Sequence, residues 1–336
     1  VGGVGGAGGS GSGGDLPSQG GRVNPDVEAP GDNVLTIVNG IVDAPSVRLC
    51  FASVGDDGET SELRGEPLPE LAYVASTVLT ELDGFSFASD VLQPWVIAGD
   101  LSLVEKLDCR AAVDLAVSEE AKVTPAEDGE GGAAPSTPLE KPTLRARALS
   151  ALPAGTVDIG RSILMVLTGC IGGAAYGDAV DIEACGDDYT PATPTAQPIV
   201  VKLSREHNAL TVGLQAVHAS LPTLAVDVRE SDGETSLVFA SLIELGAIEP
   251  RPADLRFTPD DLGVSARNHA LQAVDGQGMV ALNEVWSDIF DASSIDPLLA
   301  DRTYTAVLLG ANPRLTKRGF WNSAAFAIVD NDPTRK

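Results

Sequence analysis

Leu35-Thr36-Ile37-Val38-Asn39-Gly40-Ile41-Val42-Asp43-Ala44-Pro45-Ser46-Val47-Arg48-Leu49 decides the fold, because a second stretch repeats it. Leu214-Gln215-Ala216-Val217-His218-Ala219-Ser220-Leu221-Pro222-Thr223-Leu224-Ala225-Val226-Asp227-Val228 lies over it without a gap at an offset of 179. Few side chains are identical, but the apolar pattern is kept. Both stretches lead into the same pentapeptide, Asp57-Gly58-Glu59-Thr60-Ser61 and Asp232-Gly233-Glu234-Thr235-Ser236, at an offset of 175. Near the ends, Arg161 to Gly169 lies over Arg302 to Gly310 at an offset of 141, so the second copy is shorter by 179 less 141, or 38 residues. A whole domain is repeated, not a turn.

The elements of each copy read as strands. Runs rich in Val, Ile, Leu and Thr alternate with Asp-Gly, Pro and Gly turn signals. Val34 to Val42 and Val47 to Val54 are expected strands joined by Asp43-Ala44-Pro45, with others at Leu71 to Leu79, Trp95 to Ile97, Leu144 to Leu149 and Ile163 to Leu167. Asp56-Asp57-Gly58-Glu59 reads as a hairpin turn, since Asp-Gly supplies the positive φ such turns need. One segment departs from this pattern. Leu103, Leu107, Ala111, Val113 and Val117, with charges between them, predict an amphipathic helix over about 103–121. Residues 123–142 are rich in Pro, Glu, Gly and Ala without periodicity and read as an exposed loop. Helix and loop together account for the extra length of the first copy.

The expected fold is therefore all-β, with two tandem immunoglobulin-like β-sandwich domains, the first carrying the inserted helix and loop. The division is a Gly-rich arm over 1–32, a first domain over 33–195 and a second over 196–336. The arm cannot bury enough apolar area to offset its ordering entropy, so it reads as a tether, or as a segment that orders on a neighbouring subunit. Its Gly3-x-Gly5-x-x-Gly8 spacing matches a dinucleotide fingerprint, but no strand precedes it and no helix follows.

Charge and composition narrow the function. With 48 acidic and 22 basic residues the net charge is -26, which repels nucleic-acid phosphates and excludes nucleic acid as a partner. Three His, at 207, 218 and 269, and two Met leave few residues for metal or acid-base chemistry. No Gly-x-Ser-x-Gly elbow, His-Glu-x-x-His helix or Walker loop occurs, so an enzyme is not expected. A secreted hydrolase is the remote alternative; Trp95, Trp286 and Trp321 are few platforms for a sugar. His218 reads as a structural residue in mid-strand, and His207 and His269 as exposed. Cofactors are expected to be none. The weak exception is calcium, for which Asp56, Asp57, Asp187, Asp188, Asp330 and Asp332 could supply oxygen ligands, as could Asp260 with Asp261. Adjacent acids in turns are more often simply solvated.

No stretch approaches the roughly 18 apolar residues of a membrane helix. Cys50, Cys109, Cys170 and Cys185 lack the Cys-x-x-Cys spacing of zinc or thioredoxin-like sites. Four cysteines permit three pairings. Cys170 with Cys185 closes a short Gly-rich loop and leaves Cys50 for Cys109, whereas four buried free thiols would mark a cytosolic protein. Bridges, together with a chain that begins Val1-Gly2-Gly3, lead to the expectation of export after removal of a signal.

Val38-Asn39-Gly40-Ile41-Val42-Asp43-Ala44-Pro45-Ser46-Val47 resembles the opening of a bacterial cell-surface domain family of unknown function, V-N-A-S-P-D-A-P-A-V-D-V. Leu152-Pro153-Ala154-Gly155-Thr156 and the following strand look like that family's closing segment. The stretches from Gly99 to Cys109 and from Gly169 to Gly186 are similar to a myxobacterial-type branch of such lipoproteins. The second copy departs from the motif, with His218 for Asn and Pro222-Thr223-Leu224 for Asp-Ala-Pro. The resemblance implies small tandem sandwiches in exported proteins, and no catalytic residues. Expected partners are the protein itself or other cell-surface proteins, with a lipid anchor upstream of Val1 as a possibility the resemblance raises. The functional expectation is an extracellular structural or interaction protein that self-assembles through its arm or edge strands. A lipid-anchored monomeric ligand-binding or adhesion module is the alternative.

Overall fold

The computed structural model describes residues 27–28, 31–55, 60–123, 143–157, 160–173, 176, 179–186, 188–221, 225–233, 236–249, 256–257, 269–295, 298–311 and 322–335. A two-residue strand, β1 (Val27–Glu28), precedes the first copy. That copy comprises β2 (Val34–Ile41), β3 (Ser46–Val54), β4 (Thr60–Arg64), β5 (Leu71–Ala72), β6 (Ser76–Leu79), β7 (Val91–Gly99), β8 (Leu144–Ala148), β9 (Ser162–Gly169) and β10 (Gln197–Leu203). Helix α1 (Cys109–Val123) lies between β7 and β8, and α2 (Ala179–Cys185) between β9 and β10. After β11 (Glu206–His207) the second copy comprises β12 (Val212–His218), β13 (Val226–Ser231), β14 (Ser236–Ile243), β15 (Ile248–Glu249), β16 (Arg256–Phe257), β17 (Ala270–Asp275), β18 (Val280–Val285), α3 (Trp286–Ser293), β19 (Arg302–Leu309) and β20 (Ala325–Asp330).

Each copy is a sandwich of two sheets, and the strand orders match. The first copy has β10-β9-β2-β6 facing β4-β3-β7-β8, and the second has β20-β19-β12-β15 facing β14-β13-β17-β18. The register confirms the offsets read from the sequence. Leu35 pairs in parallel with Ile163, and its counterpart Leu214 pairs in parallel with Tyr304. These partners are 128 and 90 residues apart, a difference of the same 38. The extra residues sit where expected: β7 ends at Gly99 and β8 begins at Leu144, whereas Asp275 and Val280 bound a tight hairpin in the second copy. Strand β10 lies along β9 from Gln197 to Leu203. The first copy's sheet therefore runs past residue 195, where the sequence divided the domains.

The expected helix is shifted and turned. A short 3-10 turn spans Leu101–Val104, and α1 starts only at Cys109, where Asp108 Oδ1 accepts from the Ala111 N–H at 2.8 Å. Its buried face is Cys109, Ala112, Val113 and Ala116, while Leu103 and Val117, placed inward by periodicity, are about half exposed. Two forces set that face: the Cys50–Cys109 bridge ties the helix to β3, and the alanines let it lie close over Ile97, Leu144 and Ala146. At the matching pair of positions, Cys50 opposite Trp95 in the first copy becomes Arg229 opposite Gln272 in the second. The sheet that lacks the helix carries polar residues there.

The two sandwiches stack into four layers. Alternate residues of β2 and β9, such as Leu35, Ile37, Ile163 and Met165, fill the first copy's own core. Val38, Leu164 and Val166 face the other way and meet Val217, Val307, Leu309 and Val329 of the second copy. This is why β2 and β9 are buried along their whole length and carry apolar residues on both faces. Val38 with Val217 and Val166 with Val307 are equivalent positions of the repeat, so like faces like across the seam, as in a two-fold dimer. Gly40 makes the approach possible: a Cβ there would lie 2.8 Å from the Leu167 carbonyl oxygen and 3.0 Å from Leu309.

Candidate functional site

Three arrangements stand out, two of them internal ties and one exposed. The first tie explains the Asn of the opening motif. Asn39 donates through its side chain to the Leu71 carbonyl at 3.0 Å and accepts from the Ile41 N–H, while its backbone pairs with Val74 and Ala75. This grip breaks the expected single strand over Leu71 to Leu79 and holds Val74 at φ 72°, which a β-branched residue rarely adopts. His218 does the same in the second copy: its Nδ1 accepts from the Ser220 N–H at 3.3 Å, and its carbonyl accepts from Gly246. Gly246 takes the position of Val74, at φ 80°. His218 is fully buried and structural, as the sequence predicts.

The second tie gathers the Asp of the motif. Asp43 and Arg145 pair at 2.5 Å with side-chain exposures of 0% and 3%. The carboxylate also accepts from the Ile171 and Gly172 N–H groups, each at 2.9 Å. The guanidinium donates to the carbonyls of Asp43 and Gly172 and lies 4.0 Å from the centre of the Tyr176 ring. Burial works against the guanidinium's charge, but the Asp43 carboxylate together with Tyr176 and Tyr189 outweighs it, so Arg145 is held more firmly protonated than usual. Beside it the Cys170–Cys185 bridge packs with Val42, Tyr176, Tyr189 and Ala311 of the second copy.

Both bridges thus join the cysteines as paired from the sequence, Cys50 with Cys109 and Cys170 with Cys185. Of the acidic candidates, Asp330 and Asp332 adjoin, the Asp332 N–H donating to Asp330 Oδ1 at 2.9 Å. Asp56, Asp57, Asp187, Asp260 and Asp261 lie outside the described residues. Asp188 is exposed, and among the described residues its carbonyl accepts from the Thr193 hydroxyl at 3.5 Å. Asp330 is bound by Arg302 at 2.5 Å, and Asp332 lies 3.6 Å from Arg205. No cluster of three or more His, Cys, Asp or Glu suited to a metal occurs among the described residues. His207 and His269 are not the free surface residues expected. His207 Nδ1 lies 2.7 Å from Asp301, His269 is paired with Glu230, and both are largely covered.

The arm's last residues are fixed to the body. Val27 and Glu28 pair with His207 and Glu206. The buried Arg205 donates to the carbonyls of Asp32 and Gly160 at 2.6 and 3.0 Å. These contacts lie at one pole, where β2, β9, β12 and β19 begin. The stapled 170–185 loop lies at the opposite pole, where those strands end.

The exposed arrangement is on β14. Val238, Leu242 and Leu245 are 40%, 56% and 38% exposed, and Leu242 has φ 50°. Asp227, on the neighbouring β13, fixes that conformation: its Oδ1 accepts from the Leu242 N–H at 2.9 Å and from the Ser241 hydroxyl at 3.1 Å, and its Oδ2 accepts from Arg229 at 2.7 Å. Partial burial would raise the Asp227 carboxyl, but these hydrogen bonds outweigh it and hold it below the usual range. Sequence reasoning missed this feature, since the conformation of Leu242 is imposed by Asp227 on another strand.

No family model and no curated protein matches the sequence. Among solved structures the chain is similar to the tip fimbrial protein Mfa3 from Porphyromonas gingivalis with C-terminal truncation. The identity is 8%, over 91% of this chain and 100% of that one, with a TM-score of 0.20. A score that low carries no argument about fold or role. No helix among the described residues is long and apolar enough to cross a membrane.

Proposed function

We propose that this is a structural or interaction protein of the bacterial cell exterior that associates with copies of itself or with other surface proteins. The observation that carries the reading is the β14 edge: Val238 and Leu242 on the edge strand and Leu245 just beyond it are 38–56% exposed, and Leu242 is in a backbone conformation that costs a leucine about 1–2 kcal/mol. A strained and exposed position, held by a dedicated carboxylate, is the mark of a contact site. The two bridges support the compartment, because such bonds persist in oxidising surroundings. The test is labelling of intact cells with a membrane-impermeant amine reagent, followed by alkylation without reductant. Labelled protein carrying no alkylated cysteine is expected. Unlabelled protein with four modified thiols would end the proposal.

A second reading has its own support. The arm's root and the stapled loop lie at opposite poles. A molecule held by the arm would present that loop outward, as a monomeric module displayed on a stalk would require.

A further inference from the structure

The edge strands β10 and β20 are equivalent in the repeat, and the two copies close them differently. Thr168 and Leu309 correspond at the offset of 141, and they pair with Gln197 and Ala325. Pro198 therefore stands where the second copy has Phe326, Val200 where it has Ile328, and Lys202 where it has Asp330. These residues turn their backbone groups away from the sheet. Val34 and Val42 donate to the Arg161 and Gly169 carbonyls, so the odd-numbered residues of β9 serve β2 and the even-numbered ones serve β10. The register then leaves Pro198, Val200 and Lys202 facing outward. On β20 the outward N–H groups are met within the chain: Phe326 donates to Glu284 Oε2 at 2.7 Å, and Ile328 donates to Ser293 Oγ, on α3, at 2.8 Å. Among the described residues, no such group meets the N–H of Val200 or Lys202.

A bare edge carrying Ile199-Val200-Val201, an unbroken β-branched run, is of the kind that recruits another strand. The residues on either side of the run oppose this. Pro198 has no N–H to give. Lys202 is exposed, yet it shares a face with Val200, which packs against the first copy's own core, while Ile199, Val201 and Leu203 face the second copy. It is a charge on the inward face of an edge strand, which a neighbouring strand would bury. Antiparallel pairing of two β10 strands about Val200 sets Pro198 of each chain opposite Lys202 of the other. That register lacks both bonds the 198 positions would donate and takes two ammonium groups out of water. We propose that Pro198 and Lys202 are blocking residues that keep the β10 edge from accepting a strand of a second copy. The second copy has no such pair, and covers the same edge with Glu284 and α3 instead. Shut in this way, β10 takes no part in the association read from β14, and that reading stands or falls separately.

The decisive variant is the full chain with Pro198→Thr and Lys202→Thr, which restores the missing donor and removes the charge. Sedimentation equilibrium well below its melting temperature should show self-association tightened about tenfold or more over the unaltered chain, the effect of two restored hydrogen bonds. Amide hydrogen exchange reads the contact itself. The amides of residues 200 and 202 should exchange fast in the unaltered chain, and in the double variant should slow as concentration rises. Pro198→Thr with Lys202→Glu keeps a charge on the inward face and should behave like the unaltered chain. Should the double variant melt at a lower temperature, Lys202→Thr alone, at an exposed position, carries the test with a smaller gain. Association no tighter than that of the unaltered chain would overturn the blocking role, as would a Val200 amide already protected in the unaltered chain as concentration rises. Association of the unaltered chain with both amides still fast would leave the block intact and the β14 reading supported; a monomeric unaltered chain would end that reading alone.

Discussion

Removing the Asp43 carboxylate should be among the most damaging single changes in the molecule. Asp43 and Arg145 are almost wholly excluded from water. Asp43→Ala leaves the guanidinium without its counter-charge, which costs about 3–5 kcal/mol when one partner of a buried pair is deleted. It also orphans the Ile171 and Gly172 N–H groups, each worth roughly 1–3 kcal/mol if left unsatisfied. Carbonyl acceptors and the Tyr176 ring still serve Arg145, so a loss of about 4 kcal/mol is expected in total. Arg145→Met should cost about as much, because Asp43 would then be the unpaired charge. In the double variant neither charge remains, and only the two N–H groups are orphaned. Its loss should be about 2–3 kcal/mol, well short of the sum of the singles. Equilibrium denaturation in guanidinium of all four proteins gives the cycle. An Asp43→Ala loss below about 1 kcal/mol, or a double variant equal to the sum of the singles, would refute this account of the tie.

Other outcomes follow from the same structure. Opening the Cys170–Cys185 bridge by paired Ala substitution should cost about 3 kcal/mol for its separation of 15 residues, and opening Cys50–Cys109 about 4 for its 59, measured by thermal unfolding. Asn39→Ala should cost about 2–3 kcal/mol by abandoning the Leu71 carbonyl and the Ile41 N–H; in a Val74→Gly background the loss should be smaller, since the strain it restrains is gone. Burial raises the Glu284 carboxyl, with Asp288 adding to the rise against the Phe326 N–H bond. A carboxyl raised in the fold is destabilising when charged, so its cost applies above its folded value and disappears as pH falls to the ordinary glutamate range. Glu284→Gln should therefore raise the melting temperature at pH 7 and leave it unchanged at pH 4.

The repeat, most strands and both bridges were legible in the sequence because they rest on local patterns and short separations. The seam was not. Val34 to Ile41 and Ser162 to Gly169 are apolar on both faces, and such a run does not say what covers the second face. The helix was found but rotated, because periodicity weighs large apolar residues such as Leu103 and Val117, while the bridge at Cys109 and the small Ala112 and Ala116 decide the packing. The roles of Asn39 and Asp43 depend on partners up to 129 residues away, beyond any motif's reach. Leu242 was hidden for the same reason, since its conformation is imposed by Asp227 on another strand.

The measurement that bears most directly on the proposed role is sedimentation velocity of the full chain across a wide concentration range at low and high salt. Self-association predicts a weight-average mass that rises with concentration and rises further with salt. A single species at the mass of one chain under every condition would contradict it.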